Sequence, residues 1–249
     1  MGEGSIMVTK KRAVDTEVKS TQHGLKMRLD DMLTIQPKTD KQKEFFDAYQ
    51  QGHYFCALSG VAGTGKTYIA FYKALEEVME KSNPYTKLVI IRSSVQSREM
   101  GHLPGDAAEK MNQFTEPYKQ IAAELFKRKD AWDRLVEQGY VEFLSTSFIR
   151  GTTFNNAIVM LDESQNCTMH ELDTIITRIG NASKFFLCGD YRQVDLKKRD
   201  DKSGLLEFLT ILRAMKEFTE IEFTVDDIVR SSLVKSYIIA RIRYEDSKY

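Results

Sequence analysis

Three clusters in this chain have the residue types and spacing that phosphate chemistry requires. The first lies in Tyr54–Tyr72, YFCALSGVAGTGKTYIAFY, where Gly60, Gly65, Lys66 and Thr67 match G-x-x-x-x-G-K-[ST]. Ala62, Gly63 and Thr64 fill the loop, and Tyr68 follows it. Backbone N–H groups that wrap around a phosphate need glycine where the chain turns tightly or the ligand comes close. A helix opening at Lys66 would aim its positive dipole end at the same anion. Lys66 is then placed to reach the terminal phosphates, and the Thr67 hydroxyl to ligate magnesium. A strand-like run before the loop and a helical run after it favour this reading over an ordinary glycine-rich turn.

The second cluster is Ala157–Asn166, AIVMLDESQN, in which five apolar residues lead into Asp162 and Glu163. A buried parallel strand ending in two carboxylates would set them at the sheet edge that carries the phosphate loop. Asp162 would hold magnesium through water, and Glu163 would polarise the water that attacks a γ-phosphate. The third is Lys184–Asp195, KFFLCGDYRQVD, a strand pattern ending in Gly189-Asp190 and followed by Gln193. The Gln193 amide is placed to contact both a γ-phosphate and the attacking water.

The elements that must hold these clusters follow from pattern. Thr39–Gln42 reads as a capping box before a helix over 43–50; alternatively Gln42 meets the donor–acceptor edge of adenine. A helix runs from the loop to about Lys81, and KLVII (87–91) reads as a buried strand. The loop after it, with Arg92, Ser93, Ser94 and Arg98, is a candidate nucleic-acid contact. Residues 106–138 read as helices whose apolar stripe, with Trp132, belongs to the core. Strand character returns at 140–144 and at Phe148-Ile149. A helix over 203–216, a strand over 218–224 and a helix over 233–244 complete the chain. Alternating strands and helices imply an α/β fold with a mostly parallel sheet. Residues 1–36 read as a flexible polar tail and 37–249 as one domain.

Composition narrows the partners. Of 249 residues, 36 are basic and 36 acidic, so any nucleic-acid surface must be a local patch and not a global field. No apolar run is long enough to span a membrane, and the N-terminus lacks a signal-peptide core, so a cytoplasmic protein is expected. Cys56, Cys167 and Cys188 have no metal-ligand spacing and fit buried free thiols in a reducing compartment.

Taken in order, GVAGTGKT, IRSSVQS…GHLPGD, FIRGTTF, IVMLDESQN, TRIGNASK, GDYRQVDL and DIVRSSLV give a chain that resembles the PhoH family of P-loop ATPases from Gln42 onward. It looks like a short, single-domain member of the kind common in bacteriophage genomes. It departs from the family where Arg92-Ser93 replaces Arg-Pro and where Ser164 replaces Ala after Asp162-Glu163. The resemblance implies a RecA-like core similar to that of superfamily 1 helicases, with ATP and Mg2+ as cofactors. It also implies an adenine contact for Gln42, and Walker B and sensor roles for Asp162, Glu163 and Gln193. RNA binding or unwinding and a phosphate-starvation response are the associated functions. The implied partner is single-stranded RNA or DNA.

Paired-core helicases complete their site with an arginine from a second core, worth about 10³- to 10⁵-fold in rate. This chain has room for one core, so a homo-oligomeric ring, hexameric by the resemblance, is expected to supply it from a neighbour. Arg178 and Arg230 are the candidate fingers. Two readings stand side by side: a nucleic-acid-dependent ATPase acting on RNA, and an ATP-gated RNA- or protein-binding switch without unwinding. A small-molecule phosphotransferase is disfavoured by Glu163 beside Asp162, with Gln193 as sensor.

Overall fold

The computed structural model describes residues 26–93, 107–190 and 204–248, the side chains of 107–113 excepted. Gln193, Ser94, Arg98 and the GHLPGD motif lie outside the described residues.

Six strands form one sheet: β1 (Phe55–Gly60), β2 (Lys87–Arg92), β3 (Val141–Ser145), β4 (Ala157–Asp162), β5 (Lys184–Gly189) and β6 (Phe218–Phe223). Their order is β3-β2-β4-β5-β1-β6, and every neighbouring pair is parallel. The α/β expectation holds. All residues of β1, β4 and β5 are buried, which is why these strands read as unbroken apolar runs without alternation.

Alternate residues along the strands enter two cores. One face sends Cys56, Leu58, Leu88, Ile90, Met160 and Phe186 against helices α1 (Asp40–Gln50), α2 (Lys66–Met79), α3 (Ala107–Phe126) and α4 (Ala131–Glu137). The other sends Ala57, Val89, Ile91, Val159, Leu161 and Leu187 against α5 (Met169–Ile176) and α6 (Leu205–Leu212). The last helix, α7 (Ser232–Asp246), buries none of its residues. Among the described residues no helix is long and apolar enough to cross a membrane. The three cysteines are free and buried, and burial pushes the Cys56 thiol up to about 12.

Two expectations are corrected. Phe148-Ile149 is not strand: Thr146–Phe148 form a 3-10 turn that buries Ile149 and leaves Phe148 65% exposed. Residues 26–36, assigned to the polar tail, pack on the domain. Met27 and Met32 are buried in the larger core, and the Leu33 N–H donates to the Leu125 carbonyl at 2.8 Å.

Candidate nucleotide site

The strand order builds the site. β5 lies between β1, which feeds the phosphate loop, and β4, which ends at Asp162. At about 4.8 Å per strand, the loop and the acidic pair stand roughly 10 Å apart at the same sheet edge. That leaves a gap floored by the end of β5. A cleft of about 470 Å³ opens there, lined by residues including Lys66, Thr67, Arg92, Asp162, Glu163 and Arg230. A second hollow of about 240 Å³ adjoins it through Gly63, Gly65, Tyr68 and Arg230, and reaches Gln42.

The loop has the form its glycines allow. Gly63 and Gly65 have φ of 78° and 84°, a left-handed backbone that L side chains rarely adopt. Gly60 stands so close to the Phe223 backbone of β6 that a Cβ would overlap it. Its place in the motif is therefore enforced by the fold. Thr64 is wholly buried, and its hydroxyl donates to the Val61 carbonyl at 3.0 Å. Ala62, Gly63, Gly65, Lys66, Thr67 and Tyr68 line the cleft, while Gly60 and Thr64 shape the loop from behind.

Lys66 is 9% exposed, and its ammonium donates to the carbonyls of Gly60 and Val61 at 2.9 and 2.8 Å. A third, longer bond goes to the Thr64 hydroxyl at 3.4 Å. All three partners are neutral. Burial holds the lysine below its usual range, opposed by the negative charges of Asp190, Glu163 and Asp162. Its three donors are thus satisfied without a carboxylate, and a charged acceptor would bond the ammonium more strongly than these neutral oxygens.

Across the gap, the Thr67 hydroxyl donates to Asp162 Oδ1 at 2.8 Å, and the Tyr118 hydroxyl donates to Asp162 Oδ2 at 2.7 Å. Asp162 and Thr67 thus bring together two hard oxygen donors of the kind that suits magnesium. Next to them, Glu163 sits in the left-handed region, φ 52° and ψ 42°. For a non-glycine residue this costs about 1–3 kcal/mol and turns the carboxylate off the strand axis. Burial first, and then Asp162, raise the Glu163 pKa above the usual carboxylate value; Arg92, Gln165 and Lys66 oppose the shift.

Two contributors were not legible as site residues. Gln165 is buried, its Nε2 donating to Glu163 Oε2 at 2.6 Å and its Oε1 accepting the Asp190 N–H at 3.1 Å. It ties the Glu163 carboxylate to the end of β5. Gly189 permits this closeness, since a Cβ there would collide with Ser164 Oγ and meet Gln165 Oε1 at 3.2 Å. The other contributor is α3, assigned to the core: Pro117, Gln120, Ile121 and Glu124 line the cleft wall. Glu124 Oε1 accepts the Tyr68 hydroxyl at 3.0 Å.

The remaining candidates divide. Gln42 is 4% exposed; its Nε2 donates to the Thr64 carbonyl at 2.9 Å and its Oε1 accepts the Lys38 N–H at 2.8 Å. The capping box is only half made, because Thr39 Oγ1 accepts the Gln42 N–H at 3.3 Å but the glutamine side chain turns to the loop. Arg230 lies at its own chain's cleft: a Cβ on Gly63 would meet Arg230 Cγ at 3.1 Å, and the Val229 N–H donates to the Gly63 carbonyl at 3.1 Å. Arg178 is not brought there. Its carbonyl accepts the Phe154 N–H ahead of β4, at the opposite sheet edge roughly 20 Å away along the strands. Arg92 and Ser93, proposed as nucleic-acid contacts, turn inward instead. The Arg92 guanidinium lies 5.6 Å from the Phe114 ring at the cleft, and buried Ser93 donates to Glu171 at 3.3 Å.

A parallel sheet with this loop, this acidic strand end and an intervening strand defines a P-loop nucleotide-binding fold. The large terminase of a thermophilic bacteriophage shares it, with a TM-score of 0.50 at 14% identity over 81% of this chain and 50% of that one. A family profile described as PhoH-like protein matches residues 34–241, and the chain belongs to that family. It is 34% identical over 214 residues to a PhoH-like protein of Mycobacterium tuberculosis, covering 86% of this chain and 59% of the relative. It is 35% identical over 208 residues to one from Bacillus subtilis, covering 83% and 64%. The chain thus spans about three fifths of the length of these curated relatives.

Proposed function

We propose that this protein binds ATP with magnesium in the cleft and hydrolyses it, as a homo-oligomeric ATPase that works on single-stranded RNA. The observation that carries the reading is Lys66, buried among neutral oxygens in a cleft that Asp162 and Glu163 also line. On ATP binding, Lys66 exchanges its carbonyl partners for phosphate oxygens. The phosphate-loop N–H groups and the start of α2 face the same anion. Thr67 and Asp162 would hold magnesium, which when bound neutralises charge on the β- and γ-phosphates. Glu163, aimed by its left-handed backbone and by Gln165, accepts the proton of the attacking water. Base recognition falls to the hollow beside Gln42, whose amide keeps one N–H and one acceptor lone pair beyond its two bonds within the chain.

The two arginines take different parts. Arg230 serves the nucleotide of its own chain, supported by its contact with Gly63. Arg178, on the far edge, is the candidate that a neighbour in a head-to-tail ring would present. Mixing Lys66→Ala with Arg178→Ala chains restores activity if Arg178 acts between subunits. Mixing Lys66→Ala with Arg230→Ala chains restores none if Arg230 acts within one.

The principal test is steady-state ATP hydrolysis with and without single-stranded RNA and DNA, with Glu163→Gln as the binding-competent control. Severalfold stimulation by RNA supports the reading. Turnover indifferent to both polymers removes the nucleic-acid part. ATP binding without turnover leaves an ATP-gated switch.

A further inference from the structure

Asp162 has both carboxylate oxygens engaged, and the two partners differ in kind. Thr67, on Oδ1, is itself an expected metal ligand, and its hydroxyl can offer a lone pair to a cation while still donating its proton to Asp162. Tyr118, on Oδ2, comes from α3, outside the phosphate loop. Its ring is wholly buried and held from three elements. Phe71 of α2 stacks at 6.3 Å and 25°, Trp132 of α4 at 6.0 Å and 24°, and Phe143 of β3 lies tilted at 5.8 Å. A phenylalanine would fill the same space, so packing does not require the hydroxyl. A phenol in so apolar a site is costly unless bonded, and here the Asp162 carboxylate accepts its proton.

From this geometry we propose that Tyr118 is the positioning residue of the magnesium site. Its hydroxyl holds Asp162 Oδ2 and thereby keeps Oδ1 turned toward Thr67 and the phosphate loop. The proposal rests on the reading of Asp162 and Thr67 as the magnesium-binding pair. An outer partner of this type is worth about 10- to 100-fold in metal affinity. Because α3 also lines the cleft and meets Tyr68 through Glu124, the bond joins the metal carboxylate to the wall of the nucleotide pocket.

The test is Tyr118→Phe, read by equilibrium ATP binding as magnesium chloride is titrated, independent of turnover. The single tryptophan of the chain, Trp132, stacks on the same ring, so its emission reports that the variant is folded. We expect the half-saturating magnesium concentration to rise about 10- to 100-fold, with ATP binding in chelator unchanged. In an Asp162→Ala background the same substitution should add nothing further. An unchanged magnesium midpoint in Tyr118→Phe, with the parent protein magnesium-dependent, overturns the proposal. A full shift persisting in the Asp162→Ala background overturns it as well, since Tyr118 would then act by another route. ATP binding by the parent protein that ignores magnesium removes the underlying assignment of Asp162, and the proposal falls with it.

Discussion

The sheet buries a lysine at each of its two edges, and the two are held in opposite ways. Lys184 opens β5 at the N-terminal edge, 5% exposed, and donates to both oxygens of Glu77 at 2.9 and 2.7 Å. The Tyr49 hydroxyl bonds the same carboxylate, and the Lys184 ammonium lies over the Tyr49 ring at 4.1 Å and the Tyr85 ring at 5.2 Å. This charge is closed, with a carboxylate and two aromatic faces around it. Lys66 at the C-terminal edge bonds two carbonyls and a hydroxyl among the described residues, with its carboxylates nearby but not bonded to it. Burial is similar at the two sites, so burial does not distinguish the two lysines. The partner does.

The comparison breaks most sharply if the lysines are exchanged for neutral residues. Lys66→Ala should weaken ATP binding about 100-fold or more, the worth of two charge-assisted hydrogen bonds, with little loss of thermal stability. Isothermal titration and a melting curve measure both; a large drop in melting temperature with intact binding would reverse the assignment. Glu163→Gln should retain ATP binding and lower turnover by roughly 10²- to 10⁴-fold.

The same variant has a signed effect on stability. A carboxyl whose folded pKa is raised destabilises the folded state as pH climbs from its unfolded value of 4.5 through the raised one. Glu163→Gln should therefore melt higher than the parent at neutral pH, and the gain should vanish below about pH 4.5. Lys184→Met, in contrast, should leave ATP binding within about twofold and cost about 2–3 kcal/mol. That is less than for a fully buried pair, because Glu77 keeps 22% of its side chain in solvent. Chemical denaturation would check it.

The smallest change sharpens the site itself. Gln165→Leu removes the N–H that steadies ionised Glu163, so the acidic limb of the pH–rate profile should move to higher pH. We expect a turnover loss of about tenfold at neutral pH, the worth of one hydrogen bond to a charged group. An unshifted limb would show that Gln165 only packs.

Much of this was written locally. The glycines, Lys66 and Thr67 stand within eight residues of Gly60, and Asp162-Glu163 directly follows the strand that positions it. A strand and its exit turn are short-range structures, so their boundaries and their chemistry are read together. The apolar runs of β1, β4 and β5 likewise announced buried parallel strands, and they are. Phe148-Ile149 misled because two apolar residues match a strand and a 3-10 turn equally well.

What lay beyond the sequence are the meetings across long separations. Tyr118 and Asp162 are 44 residues apart, and Gln165 reaches the N–H of Asp190 across 25. A helical stripe assigns Tyr118 to a core; whether its hydroxyl ends in that core or on a carboxylate depends on how α3 docks against β4. The insertion of β5 between β1 and β4, which sets the width of the cleft, is a choice of strand order that no local pattern encodes. The sequence by itself determined which groups stand on the phosphate loop and at the strand end, because loop spacing and strand-end residues follow from backbone geometry over a few residues. Only the tertiary structure decided which groups hold them in place, because that depends on packing between elements far apart in the chain.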